Sequence, residues 1–189
     1  MPTNDRLIST LAEIDAANAA DPRQRELVYA ERMSEGLGRI YPGASEALRI
    51  AARAQHIRRW EIPRSGYPLG RAGYNAWRAA CRDHHGKLVA EIMGRHGYGA
   101  AEIGQVVKIV RKEELKRDPE SQALENVVAY VFVAHYLDEF VAQHPDYDDA
   151  KLADILKKTL RKMDPVGHAA VLGLPLPDAT RRLIGLALA

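Results

Sequence analysis

A single cysteine, Cys81, is all the thiol chemistry the chain carries. That excludes an internal disulfide and a zinc site built on cysteines, and it predicts a reducing, cytoplasmic setting. No apolar run approaches the ~20 residues that a bilayer span requires. The opening MPTNDRLISTLAEIDAANAADPR lacks a basic start followed by an apolar core, so no secretory signal and no membrane partner are expected. No segment alternates apolar and polar residues between hairpin turns, which argues against strands. The net charge is only +2, too small to mark the whole chain as a nucleic-acid binder. Lysine is scarce, at 8 against 19 arginines.

What is present is helical periodicity over nearly all of the 189 residues, 47% of which are hydrophobic and 28% charged. That balance suits one globular domain with a substantial core. The spacing predicts helices over about 4–18, 22–40, 44–58, 71–94, 99–112, 118–143 and 149–163, then two short ones. Asp21-Pro22 and Asp118-Pro119 read as N-caps followed by proline in the first helical position. The expectation is a single all-α domain over 1–189, with a core over 1–164 and a C-terminal helical tail over 165–189.

The arginines are unevenly placed. Arg53, Arg58, Arg59, Arg64, Arg71 and Arg78 fall within 26 residues that hold one acid, Glu61. The stretch HIRRWEIPRSGYPLGRAGYNAWR, residues 56–78, also carries Trp60, Tyr67, Tyr74 and Trp77. Guanidinium forks match phosphate or carboxylate bidentately, and aromatic faces can stack on guanidinium groups or a base. Prolines stiffen the loop and reduce the entropy lost on binding. Two outcomes follow: each arginine pairs with a nearby carboxylate and pins the loop, or several converge on a shared anion.

Helical geometry adds candidates. Glu46, Arg49, Arg53 and His56 share a stripe that ends at the loop. Arg78 and His85 are seven apart on the next helix. His85 borders an apolar face and is either a site residue or a hydrogen-bonded structural histidine, while His84 reads as core. Glu125 lies at the edge of a core face, where a carboxylate needs a cation. Lys112 flanks the acidic run before that helix and could extend an anion site.

The runs ELVYAERM, AARAQHIRRWEIPRSGYPLGRAGYNAWR and RKEELKRDPESQALEN, with His85, resemble an uncharacterised domain-of-unknown-function family with the signature HIRRW-PR-YP-R-Y-WR. Some of its members carry a glutamyl-tRNA synthetase label, but the chain lacks the α/β nucleotide-binding core that such a catalytic domain needs. The layout is more distantly similar to HD-domain metal phosphohydrolases. That resemblance implies an HD-domain-like bundle of about eight or nine helices. It places His56 at the His-Asp pair, with Ile57 in the Asp position, Tyr29 at the early His and Glu125-Asn126 near the late Asp. It leaves His56, His85 and Glu125 as ligands to one divalent metal, Mn, Fe, Zn or Ni, and as acid/base groups.

The resulting expectation is a small-molecule hydrolase of a phosphorylated or nucleotide-like anion. His56, His85 and Glu125 would carry the chemistry. Arg58, Arg59, Arg64, Tyr67, Arg71, Tyr74, Trp77, Arg78 and Lys112 would bind substrate. The alternatives are a metal-free anion- or nucleotide-binding module on a degenerate HD-like fold, and an RNA-binding protein.

Overall fold

A computed structural model describes residues 3–188, and among them the chain is all-α. Ten α-helices follow in order: α1 Thr3–Ala19, α2 Arg25–Ile40, α3 Glu46–Arg53, α4 Gly70–Arg95, α5 Ala100–Arg111, α6 Pro119–His135, α7 Leu137–Ala142, α8 Asp149–Leu160, α9 Pro165–Leu172 and α10 Asp178–Leu188. Two 3-10 turns, Arg59–Glu61 and Arg64–Gly66, interrupt the loop between α3 and α4. The tenth helix arises because the segment expected over 118–143 divides at Tyr136, whose φ of −129° leaves the helical region. Among the described residues, no helix is long and apolar enough to cross a membrane.

The contacts divide the chain into two compact units, one running up to Leu124 and the other beginning at Glu125, so the boundary lies inside α6. In the first unit α4 packs along α5, α5 along α3, and α1 and α2 along α3. Ile14, Met33, Ile50, Ile57, Val89, Met93 and Ile109 are fully buried there, each contributing about 1.5–3 kcal/mol over exposure. In the second unit α10 packs on α8. Asn126 clips the start of α9. Its Nδ2 donates to Asp164 Oδ1 at 2.8 Å, and its Oδ1 accepts the Asp164 amide at 3.1 Å. Asp164 in turn caps Gly167 at 3.0 Å, with Pro165 at the first helical position.

Two helix boundaries shape the region around the loop. The helix expected over 44–58 ends at Arg53, after a start fixed by the Ser45 side chain accepting from the Leu48 amide. Residues 54–58 form tight turns instead, and Arg58 takes a left-handed backbone with φ of 49°. Its amide donates to Asn18 Oδ1 at 3.2 Å, so the ladder ends where a side chain on α1 supplies the acceptor. The helix expected to begin at Pro22 begins at Arg25. Asp21 still holds its start, accepting the amides of Arg25 and Glu26 at 2.8 and 3.2 Å.

Candidate functional site

His56 lies in the turn after α3, its ring stacked on Tyr29 of α2 at 3.9 Å and 10° between planes. Its two nitrogens face different partners. Nε2 meets a guanidinium nitrogen of Arg59, and Nδ1 sits 3.5 Å from Glu26 Oε2. Arginine has donors and no acceptor, so Nε2 must accept, and the ring proton belongs on Nδ1, facing the Glu26 carboxyl. Arg59 itself lies over the Trp77 ring at 4.7 Å.

His85 is on the buried face of α4, 2% exposed, with its ring 5.9 Å from His56. Its Nε2 has no hydrogen-bond partner. His84, expected in the core, instead turns partly outward to within 3.2 Å of Glu61. The apolar face of α4 is rotated by about one residue from the expectation, and the other histidine is the buried one.

The electrostatics of this group are distinctive. Burial first, then the positive charges of Arg59, Lys112 and Arg78 with His85 beside it, hold His56 neutral well below the ordinary histidine range. Burial, Arg59, His84 and Lys112 push His85 down to about 3. Burial raises Glu26 to about 7 against the pull of Arg59, with Asp21 adding to the rise. Burial also raises the Cys81 thiol, which feels Arg59, Arg78 and Glu26. Arg59 thus acts on both neutral imidazoles and on the Glu26 carboxyl, Lys112 on both imidazoles and Arg78 on His56.

The remaining candidates divide. Arg58 pairs with Glu61 at 2.6 Å. Arg64 donates to the carbonyls of Tyr67 and Pro68, both at 2.9 Å, and so closes its own loop. Arg71 and Tyr74 are exposed, Tyr67 is half-buried, and the Tyr74 ring is 5.9 Å from the Arg78 guanidinium. Trp77 donates from Nε1 to the Ile62 carbonyl at 2.8 Å, fastening the loop to α4. On the stripe of α3, Arg53 turns away to Asp15, with Nη2 2.7 Å from Oδ2. Glu125 is buried in the second unit, where Lys162 Nζ approaches its Oε1 at 3.7 Å. Arg59, His56, His85 and Trp77 are therefore brought together, Arg78 and Lys112 act on the histidines only electrostatically, and Arg58 and Arg64 are engaged within the loop.

Glu26 escaped the sequence reading. The signal for it was its place three residues before Tyr29 on one face of α2, since the two share a side of the helix. Nothing local in the sequence marks it as half-buried.

The divalent metal implied by the HD-like resemblance does not fit these residues. The acceptor nitrogen of His56 is already taken by the Arg59 guanidinium, a fixed positive charge where a metal would have to bind. Among the described residues, no group of three or more His, Cys, Asp or Glu side chains is gathered to hold a metal ion.

The described residues form an all-α protein whose first unit sets Arg59 against the neighbouring pair His56 and His85. The chain belongs to the family described as Domain of unknown function (DUF4202), whose model matches residues 9–184. Neither a curated protein nor a solved structure matched it.

Proposed function

We propose that the first unit binds a small phosphorylated or carboxylated molecule, nucleotide-like in class, without a metal. The observation that carries this reading is Arg59, set between the Nε2 of half-buried His56 and the Trp77 face, beside a buried His85 whose Nε2 has no partner. A guanidinium in a low-dielectric site keeps its charge, and a bound anion offsets it. The Trp77 face, already stacked with Arg59, lies at the edge of the same group.

A second reading, turnover of the bound molecule, is favoured by one contact. Glu26, whose acidity lies near neutrality, can itself gain or lose a proton, while the neutral His56 faces it through Nδ1 and is held at Nε2 by Arg59. A hydrolase would use the Glu26 carboxyl as its acid or base and His56 to orient it.

The test is a thermal-shift panel of nucleotides, sugar phosphates and carboxylates, run with and without chelator. Stabilisation that survives chelator and is lost in Arg59→Ala and in Arg78→Ala supports the reading. Arg64→Ala should keep most of it, because that guanidinium serves the loop. No stabilisation by any member of the panel, or full stabilisation in both pocket variants, overturns it.

A further inference from the structure

A cleft of about 400 Å³ opens in the first unit between α1, α2, the turn that follows α2, and α3. Clefts of this size take small organic molecules. Leu11, Leu37, Pro42 and Ala44 supply apolar wall, and Ser34 adds a hydroxyl. Among the described residues that line it, Arg49 alone is charged. Gly38 gives the α2 wall no side chain, and a β-carbon added there would meet nothing within 4 Å.

Arg49 belongs to the stripe of Glu46, Arg49, Arg53 and His56, and the other three are engaged elsewhere. Glu46 accepts from Tyr98 Oη at 2.6 Å and lies 3.3 Å from Arg6 Nε. Arg53 holds Asp15, and His56 meets Arg59. Other acids close in the chain to the lining residues are also committed. Glu13 accepts from Arg95 Nε at 2.9 Å and lies 2.7 Å from His96 Nε2, and Glu35 faces Arg39 at 4.0 Å. Arg49 is exposed, and among the described residues its side chain forms no ion pair and no hydrogen bond. The cleft therefore carries one positive charge that the fold leaves unanswered.

We infer that this cleft binds a small monocarboxylate with an apolar body. A guanidinium fork matches the two oxygens of a carboxylate. One fixed cation answers one negative charge, whereas a dianion would bring a second charge with no partner. The body of the ligand would cover Leu11, Leu37, Pro42 and Ala44, and each methylene removed from water there adds to affinity. Ser34 Oγ accepts from Arg53 Nη1 at 3.3 Å and can still donate its own proton to a ligand oxygen. This site is separate from the group around Arg59 and does not rest on it, since His56, Arg59, Trp77 and His85 line no part of the cleft.

The experiment is calorimetric titration of the full chain with octanoate and, as the uncharged counterpart, octanol. Octanoate should bind at least about tenfold more tightly than octanol, the difference that one charge-assisted hydrogen bond supplies. Arg49→Gln should weaken octanoate by about ten- to a hundredfold and leave octanol unchanged. Arg49 is exposed, so this variant should fold, and circular dichroism checks it. Gly38→Leu should block both ligands by filling the cleft, and it should fold because leucine favours a helix more than glycine does. Arg59→Ala should bind octanoate as the wild type does. Absence of octanoate binding, equal affinity for octanol, or full octanoate affinity in Arg49→Gln overturns the inference. Octanoate binding that is lost in Arg59→Ala and kept in Arg49→Gln also overturns it, and that result assigns the carboxylate to the Arg59 group instead.

Discussion

Asn18 shows how a single buried amide can set the site. It is fully buried in α1, and its Oδ1 accepts the Arg58 amide. Arg58 sits in the left-handed region at φ 49°, a conformation that costs a non-glycine residue roughly 1–2 kcal/mol. The turn persists because Asn18 provides the hydrogen bond there, and the next residue, Arg59, is thereby delivered to the His56 ring. Replacing Asn18 by Ala leaves the Arg58 amide without its acceptor, a loss of about 1–3 kcal/mol. Anion affinity should fall as well, although Asn18 is not among the pocket side chains. Chemical denaturation together with ligand-induced stabilisation checks both effects. A variant that loses stability but keeps wild-type anion affinity would show that Asn18 does not position Arg59. Lys112 is held in the same unusual way, left-handed at φ 57°, with Glu114 and Lys116 also at positive φ beyond it. Two of the charged segments around the histidines thus carry backbone strain, which is common where side-chain placement matters.

At the scale of elements, the loop from 54 to 69 is fixed by its fit against α4. A β-carbon added at Gly73 would lie 1.9 Å from the Pro68 carbonyl oxygen. That oxygen also accepts from Arg64 Nη2. Gly73→Ala therefore forces backbone to move, with an expected loss of about 1–3 kcal/mol and faster tryptic cleavage at the loop arginines. Gly66→Ala in the same loop is the control, because nothing lies within 4 Å of its added carbon. Equal stability and proteolysis in the two variants would show that the close approach carries no weight. The helical layout was legible from the sequence because amphipathic periods and Asp-Pro caps are local: α6 starts where Asp118-Pro119 predicts. The ends of α2 and α3 were not, because Asp21 reaches over a turn and Asn18 acts from forty residues away. The site was legible in part for the same reason. An Arg-rich stretch marks the loop in the sequence, but which guanidiniums are spent within it depends on partners such as Pro68 and Glu61. The burial of Glu26 depends on residues that only the fold brings near.

For the molecule as a whole, the buried ionisable groups predict an asymmetric response to pH. His56 and His85 are held neutral, below their ordinary 6.5, so the unfolded chain binds more protons than the native one once pH drops under that value. Their contribution is present above pH 6.5 and is lost as pH falls. Asp21 and Asp118, which are lowered in the folded state, add to that loss further down. Glu26 has the opposite sign. Its rise from 4.5 to about 7 means that the native state holds a proton the unfolded chain has released. Stability therefore declines as pH climbs through that window, by about 3 kcal/mol in all. Below pH 6.5 the loss from the two histidines outweighs the gain from Glu26, so the melting temperature should fall steeply on the acid side and stay nearly level above pH 7. A carboxyl that costs the fold about this much at pH 8 is retained beside His56 and Arg59, in a candidate site, which is where function and stability most often conflict. Glu26→Gln tests the argument directly. The stability gap between variant and wild type should widen from pH 5 to 7 and stay constant beyond. A gap that is flat across that range would show that Glu26 titrates like an exposed carboxylate, and the electrostatic account of this group would have to be abandoned.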